Sequence, residues 1–284
     1  MMQTTEVAAR IKAFPQWLYQ FDLQGHLTPV VSPDFVNRQR ERKRYCFDPI
    51  LELLGGSLQG KRILDLGCNA GFWSLAAIEA GCEFVLGVDG REMHIDQSNF
   101  VFDINGVDTS RYQFDLGNIF DYDFESHQPF DVVLCFGLLY HVAKPFSLIE
   151  RISRVNTDLL VIDTAISELP GSFLSLTQEA PLEGDPRRAV DYRLVAYPTK
   201  MAVRDIAREM GYEVAVLKPV PEDCEGMRDY VKGARRAFLC SKQTDLGGLS
   251  VPIEPISPVG QALDSARWLR NRVVGMVRSN AQRP

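Results

Sequence analysis

The stretch Ile63-Leu-Asp-Leu-Gly-Cys-Asn-Ala-Gly71 constrains the fold more than any other part of the chain. Its apolar start, residues 63–66, predicts a buried strand, and Gly67 allows the backbone to turn directly after it. Gly71 allows the following helix to pack closely against its surroundings. A buried strand that leads through a glycine-bounded turn into a helix is typical of an α/β nucleotide-binding fold.

An acidic residue follows this turn at a characteristic distance. Asp89 ends the next apolar run, residues 84–88. A carboxylate about 20 residues after such a turn can accept hydrogen bonds from both hydroxyl groups of a ribose. We therefore predict that Asp89 and the adjacent Gly90 bind a cofactor with a free ribose. The alternative for Asp89 is an ordinary turn aspartate.

The glycine spacing argues against a dinucleotide cofactor. A dinucleotide fingerprint needs G-x-G-x-x-G, so that the main chain can approach a pyrophosphate. Here Asn69 occupies the position of the middle glycine, between Gly67 and Gly71. Asparagine tolerates the left-handed conformation but keeps a side chain in the path of the ligand. A dehydrogenase is therefore the weaker alternative.

The turn resembles motif I of class I S-adenosylmethionine (SAM) methyltransferases, and the resemblance extends from Lys61 to about Cys240. It implies an α/β, Rossmann-like fold with a mostly parallel sheet of seven strands flanked by helices. It also implies that SAM is the cofactor. The turn residues that would face the methionine end of SAM are Asp65, Gly67, Cys68, Asn69 and Gly71. The alternative for Asp65 is a carboxylate that caps the following helix.

Two later strand ends add to the predicted cofactor site. In this family, an aspartate after the third strand often binds the adenine amino group. Asn118 takes that position here, with Ile119 as the apolar neighbour of the ring, and Asp115 is the competing alignment. Phe136 and Gly137, at the end of the fourth strand, would pass beside the methionine part of SAM.

Tyr140 and His141 follow the fourth strand directly, at the sheet edge where ligands bind in open α/β folds. We predict both as catalytic residues, with His141 as a general base for a hydroxyl group, because imidazole titrates near neutral pH. Methyl transfer from a sulfonium depends mainly on alignment of the reacting atoms. A structural histidine, or two residues that only shape the pocket, is therefore the alternative. No paired carboxylates indicate a metal site.

Three segments lie outside the repeating pattern of strands and helices, and we expect them to select the acceptor. Residues 1–60 combine an aromatic cluster with the basic run 38–44 and predict a helical extension at the substrate entrance. Residues 165–198 contain four prolines and two glycines, which favours a loop or lid within the methyltransferase domain 61–243. Residues 244–284 predict a linker and a basic amphipathic helix, which packs on the core or contacts a partner or a second copy.

Composition limits the remaining choices. A formal net charge of -6 gives no broad attraction to nucleic acid. The six cysteines form no C-x-x-C pair, which favours reduced thiols. No stretch reaches the ~18 apolar residues of a membrane span, so we expect a cytoplasmic protein. The basic run 38–44 is either a solvated helix face or an anion-binding entrance.

We therefore predict an O-methyltransferase that acts on a small molecule or a glycan. The sequences 65–74 and 137–145 resemble the branch that includes bacterial tRNA wobble-uridine carboxymethoxy enzymes and sugar or natural-product methyltransferases. A tRNA-modifying enzyme is the first alternative, although the acidic balance argues against RNA. A non-catalytic subunit that keeps the fold and the cofactor is the second.

Overall fold

The computed structural model describes residues 2–179 and 193–247, and its N-terminal part precedes the main sheet. This part consists of α1 (Thr4–Ala13), a short hairpin of β1 (Asp22–Leu23) and β2 (His26–Leu27), α2 (Asp34–Arg42) and α3 (Asp48–Leu53). A π-helical turn, Lys43–Phe47, joins α2 to α3. The aromatic side chains of Trp17, Tyr19 and Phe21 are buried. They join the main hydrophobic core, so this part packs as a layer of the domain.

A sheet of seven strands forms the centre of the described part. The chain contains β3 (Arg62–Leu66), β4 (Phe84–Asp89), β5 (Tyr112–Leu116), β6 (Phe130–Phe136), β7 (Asn156–Ala165), a separate hairpin of β8 (Leu174–Gln178) and β9 (Leu194–Pro198), then β10 (Glu213–Leu217) and β11 (Arg235–Ser241). The order in the main sheet is β10-β11-β7-β6-β3-β4-β5. Strand β11 is antiparallel to both of its neighbours, and the other pairs are parallel. The predicted seven-stranded, mostly parallel sheet is confirmed.

Helices cover both faces of this sheet. They are α4 (Phe72–Glu79), α5 (Glu92–Ile104), α6 (Pro145–Val155), α7 (Lys200–Glu209) and α8 (Arg228–Lys232). Thr199 caps α7, because its hydroxyl oxygen accepts a hydrogen bond from the Ala202 amide at 3.1 Å.

The core has two layers because successive strand residues point to opposite faces. Ile63 packs in one layer with Trp73 and Val101. Its neighbour Leu64 packs in the other layer with Ile149. Parallel strands that are covered on both faces need apolar residues at nearly every position. This requirement explains the continuous apolar runs from which the strands were predicted.

The hairpin of β8 and β9 differs from the loop expected for residues 165–198. Its strands pair in register, with Ser175 opposite Tyr197. Pairing between two separate segments leaves no local periodicity, so the sequence pattern does not show it. The Ala196 amide donates a hydrogen bond to the Val142 carbonyl oxygen at 2.9 Å. The hairpin therefore lies next to the segment that carries His141.

The predicted linker after residue 247 and the predicted C-terminal helix lie outside the described residues. In the two described ranges, no helix is both long enough and apolar enough to cross a membrane. All six cysteines lie in the described part as free thiols, and Cys224 is the exposed one among them.

Candidate cofactor and acceptor site

The carboxyl ends of β3, β4, β5 and β6 open onto one cavity of about 630 Å³. This is the sheet edge where ligands bind in open α/β folds, and the volume is in the range of small-molecule sites. Most of the predicted site residues line it: Gly67, Asn69, Asp89, Gly90, Asn118, Ile119, Phe136, Gly137, Tyr140 and His141. Three predicted cofactor residues, Asp65, Cys68 and Gly71, are not among its lining residues.

The turn after β3 adopts the conformation that its sequence suggests. Gly67 and Asn69 have φ angles of 67° and 50°, in the left-handed region. A Cβ atom on Gly71 would lie 3.2 Å from the Ser98 hydroxyl oxygen and 3.3 Å from the Phe102 ring. Gly71 therefore serves the close packing of this turn on α5. Cys68 is fully buried behind the turn.

Asp65 lies beneath the first turn of α4 and is only 1% exposed. Its Oδ2 atom accepts a hydrogen bond from the Ser74 hydroxyl at 2.7 Å. Burial raises the pKa of Asp65 to about 7, against the opposing effect of the hydrogen bonds from the Ser74 side chain and backbone. These contacts are those of a helix-capping carboxylate. Asp65 would therefore affect a ligand indirectly, by holding the turn after β3 in place.

The raised pKa of Asp65 predicts a pH dependence of stability. The native state keeps a proton that the unfolded chain releases near pH 4, so stability falls as the pH rises from about 4 through about 7. Between pH 5 and pH 8, we expect the free energy of unfolding of Asp65→Asn to decrease by on the order of 2 kcal/mol less than that of the wild type. Urea denaturation of both proteins at several pH values measures it. Parallel stability curves for the two proteins would contradict this prediction.

Asp89 faces the cavity with its carboxylate held by three donors. Its Oδ2 atom accepts from the Asn69 amide at 3.0 Å, and its Oδ1 atom accepts from the Arg91 amide at 3.0 Å. The Nδ1 atom of His94 lies 2.9 Å from the same Oδ1 atom. His94 is 2% exposed. His94 was not predicted, although its place in the first turn of α5, five residues after Asp89, is the signal for such a contact.

Asn118 lies at the cavity, whereas its competitor Asp115 is not a lining residue. The Asn118 side-chain oxygen accepts a hydrogen bond from the Phe120 amide at 2.9 Å, which fixes the turn after β5. Asp115 instead accepts hydrogen bonds from the side chains of Gln113 and Tyr122. The Asp115 carboxylate is therefore bonded to neighbouring side chains and does not line the cavity. This placement favours Asn118 as the residue near the adenine.

His141 and Glu179 form a buried pair on another wall of the cavity. The His141 Nδ1 atom lies 2.6 Å from Glu179 Oε1, and the two side chains are 11% and 6% exposed. The ring centroids of Tyr140 and His141 lie 3.9 Å apart. A carboxylate at Nδ1 holds the neutral imidazole in the tautomer whose Nε2 atom accepts a proton. Glu179 was not predicted, because it lies 38 residues away in a segment without periodicity.

The cations of the basic run 38–44 are paired, and Arg38 and Arg42 among them are largely buried, whereas Arg40, Lys43 and Arg44 are exposed. Each cation forms an ion pair: Arg38 with Asp229, Arg40 with Glu41, Arg42 with Asp163, Lys43 with Asp48, and Arg44 with Glu41 and Glu222. Arg38 and Arg42 also line the cavity. The run thus ties the N-terminal part to the main domain and places two guanidinium groups at the site.

The lining residues fit a nucleoside with an amino-acid tail. Asp89 offers acceptor atoms for ribose hydroxyls, and Ile119, which follows the neighbouring strand β5, offers an apolar surface. A Cβ atom on Gly67 would meet only Leu138, at 3.4 Å, so the absence of a side chain leaves the main chain open to a ligand. Within residues 2–179 and 193–247, no group of three or more His, Cys, Asp or Glu residues is placed to hold a metal ion.

Comparisons with known proteins agree with this fit. A family model described as a methyltransferase domain matches residues 57–183. The ubiquinone biosynthesis O-methyltransferase of Neisseria meningitidis serogroup C is 28% identical over 164 residues, which cover 57% of this chain and 67% of that protein. The tRNA U34 carboxymethyltransferase of Helicobacter hepaticus is 26% identical over 207 residues, which cover 69% of this chain and 64% of that protein. The chain thus spans about two thirds of the length of these relatives.

Two solved structures share the fold. The N-terminal domain of EvdMO1, determined with S-adenosylhomocysteine (SAH) and D-fucose, has a TM-score of 0.65 and 23% identity, covering 86% of this chain and 98% of its own. Magnesium protoporphyrin IX methyltransferase from Synechocystis PCC 6803, with bound SAM, has a TM-score of 0.55 and 16% identity, covering 85% and 98%. The first of these structures contains SAH and the second contains SAM. Residues 57–183 match a methyltransferase domain, and the chain is similar in sequence and fold to class I SAM-dependent methyltransferases.

Proposed function

We propose that the protein transfers a methyl group from SAM to a hydroxyl group of a small molecule or a glycan. The observation that carries this proposal is the His141–Glu179 pair, which lies at the same cavity as Asp89. When bound, SAM supplies a methyl group that its sulfonium already activates. A hydroxyl nucleophile must also lose its proton, and a histidine oriented by a carboxylate is suited to accept it.

The remaining lining residues bind and orient the two ligands in this proposal. Asp89 and Gly90 hold the ribose, and Asn118 and Ile119 contact the adenine. Gly67, Asn69, Phe136 and Gly137 border the methionine part, while Tyr140 shapes the acceptor side. Asp65, Cys68 and Gly71 support the turn from behind.

We assign acceptor recognition to the added segments. Leu18, Tyr19 and Phe35, from residues 1–60, line the cavity and make its wall apolar. An apolar wall keeps water away from the reacting atoms. Residues 61–243 then form the methyltransferase domain, with the β8–β9 hairpin as a covering segment.

A tRNA substrate is the second candidate. The similarity to the H. hepaticus tRNA enzyme favours it, because that similarity covers more of this chain than the one to the ubiquinone enzyme does. Two observations favour a small acceptor instead. The formal net charge is -6, and the cations of residues 38–44 are paired with carboxylates. Such pairing reduces the charge available for a phosphate backbone.

An acceptor panel tests this proposal. SAH release is measured with phenols, sugars, carboxylic acids and a tRNA transcript, and Asp89→Ala serves as the cofactor-deficient control. We expect SAH release with a hydroxyl acceptor and, at SAM concentrations near the wild-type Kd, about tenfold or more slower release from Asp89→Ala. Release with tRNA alone would replace the small-molecule proposal. SAM binding without release on any acceptor would instead support a non-catalytic subunit.

A further inference from the structure

Strand β8 forms the outer edge of the β8–β9 hairpin. On the β9 side, the Ala196 amide donates to the Val142 carbonyl oxygen at 2.9 Å. The Pro198 carbonyl oxygen accepts from the Ser167 amide at 2.8 Å. Strand β8 pairs with β9 alone among the strands of the two described ranges. It is therefore an edge strand, and such an edge presents main-chain donors and acceptors with which another strand can pair.

The hydrogen bonds at the two ends of the hairpin show which main-chain groups of β8 point outward. In an antiparallel pair, every second residue bonds to the partner strand, and the residues between them point away from it. The Glu179 amide donates to the Arg193 carbonyl oxygen at 2.8 Å. The Thr199 amide donates to the Phe173 carbonyl oxygen at 2.9 Å. Positions 173, 175, 177 and 179 therefore face β9. The amide and carbonyl groups of the alternate positions face outward: Leu174, Leu176 and Gln178.

The two faces of the hairpin differ in the same alternating way. One face packs on the domain, where the Ser175 hydroxyl donates to the Ser167 hydroxyl oxygen at 3.0 Å. On this face the ring centroids of Tyr197 and Tyr140 lie 5.5 Å apart. The opposite face carries three exposed leucines, with exposed fractions of 40%, 63% and 44%: Leu174, Leu176 and Leu194. Adjacent exposed apolar side chains of this kind mark an interaction surface.

The sequence of β8 suits pairing with a second copy of itself. Two identical strands related by a twofold axis pair antiparallel. A register centred on Leu176 places Leu174 opposite Gln178 of the second copy, so every outward residue forms a pair that exchanges two main-chain hydrogen bonds. The strand Leu174–Gln178 contains no charged residue and no proline. Like charges therefore do not meet, and each outward residue keeps its amide donor.

We propose that the protein forms a symmetric dimer in which the β8 strands of two copies pair. This inference does not depend on the methyl acceptor. Natural edge strands commonly carry charges or prolines that prevent such pairing, and β8 has neither. Glu179 follows β8 directly and contacts His141, so the second copy supports the segment that carries this pair. A five-residue edge is small beside the ~800 Å² per partner of a standard interface, and we expect a Kd in the micromolar range.

Sedimentation velocity at protein concentrations from about 1 to 300 µM tests the dimer. We expect a monomer–dimer equilibrium for the wild type. Leu176→Lys should weaken the dimer by about tenfold or more, because two like charges then meet at the twofold axis. Leu27→Lys is the matched control, since Leu27 is 61% exposed on the other short hairpin. It should leave the Kd of the dimer within about twofold.

Disulfide formation with oxidised glutathione tests the register. The variants are made in a Cys224→Ser background, because the other cysteines are buried. Leu176→Cys should cross-link two copies, since the Cα atoms of a hydrogen-bonded pair lie about 5.5 Å apart, within the range of a disulfide. Thr177→Cys on the same strand should not, because its two copies are offset along the strands and lie about 8 Å apart.

Several results would overturn the dimer. They are a monomer at every concentration, equal weakening in Leu176→Lys and Leu27→Lys, and equal cross-linking in the two cysteine variants. Hydrogen exchange of the Leu176 amide separates a second copy from another occupant of the edge. Protection that rises with protein concentration supports the dimer, whereas protection at every concentration would assign the edge to a segment of the same chain. If Leu176→Lys does not fold, cross-linking of Leu176→Cys decides the question.

Discussion

Asp89→Ala is expected to weaken SAH binding by about 10- to 100-fold. A hydrogen bond to a charged group contributes about 1.5–3 kcal/mol, and each 1.4 kcal/mol corresponds to a tenfold change in Kd. The structure adds a reason to expect the upper part of this range. The three donors that hold the Asp89 carboxylate fix its orientation before a ligand binds, so little ordering is required on binding.

Calorimetry with SAH measures this effect, and the same helix provides the control. Asp96 is an exposed carboxylate on α5 and is not a lining residue of the cavity. Asp96→Ala should therefore leave the Kd unchanged. His94→Ala should weaken binding by only a few-fold, because Asp89 keeps its two backbone donors. Equal affinity of Asp89→Ala and wild type would show that the ribose is not held at this position.

Much of the fold could be predicted because its determinants are local. Strands covered on both faces must be apolar throughout, so β3, β4 and β6 appear in the sequence as continuous runs. Gly67 and Gly71 mark positions with positive φ angles, and Asn69 is one of the few other residue types that tolerate such a conformation. These features also located the sheet edge that carries the cavity.

The direction of a side chain at that edge was harder to predict. Asp65 and Asp89 both lie near the ends of adjacent strands, yet only Asp89 faces the cavity. Successive residues of a strand alternate between its faces, and Asp65 points beneath α4 to Ser74. Position at a strand end therefore identifies the correct edge of the sheet but not the direction of the carboxylate.

Contacts between distant segments could not be predicted from local patterns. Glu179 reaches His141 from the β8–β9 hairpin, and Arg235 reaches Asp163 through the antiparallel pairing of β11 with β7. One signal was nevertheless present. Asp163 directly follows the apolar run 159–162, and a buried carboxylate requires a cationic partner. The sequence alone does not identify which arginine supplies it.

His141→Ala is expected to lower kcat by about 10²- to 10⁴-fold with an alcohol acceptor, which is the usual contribution of a general base. Glu179→Gln should cause a smaller loss, of about tenfold, since glutamine keeps an oxygen that accepts from Nδ1 but lacks the charge that stabilises a protonated imidazole. Steady-state kinetics measures both variants, and neither should change the Kd of SAH. His127→Ala, which removes a histidine outside the cavity lining, is the matched control.

The acidity of the acceptor separates a base from a residue that only shapes the pocket. A phenol whose hydroxyl is already ionised at the assay pH needs no base, so His141→Ala should lose much less activity with it than with a similar alcohol. A residue that only packs against the acceptor would show the same loss with both acceptors and would raise KM. The buried contact with Glu179 favours the first result, because an oriented imidazole at the cavity serves proton transfer, whereas packing alone does not require a carboxylate partner.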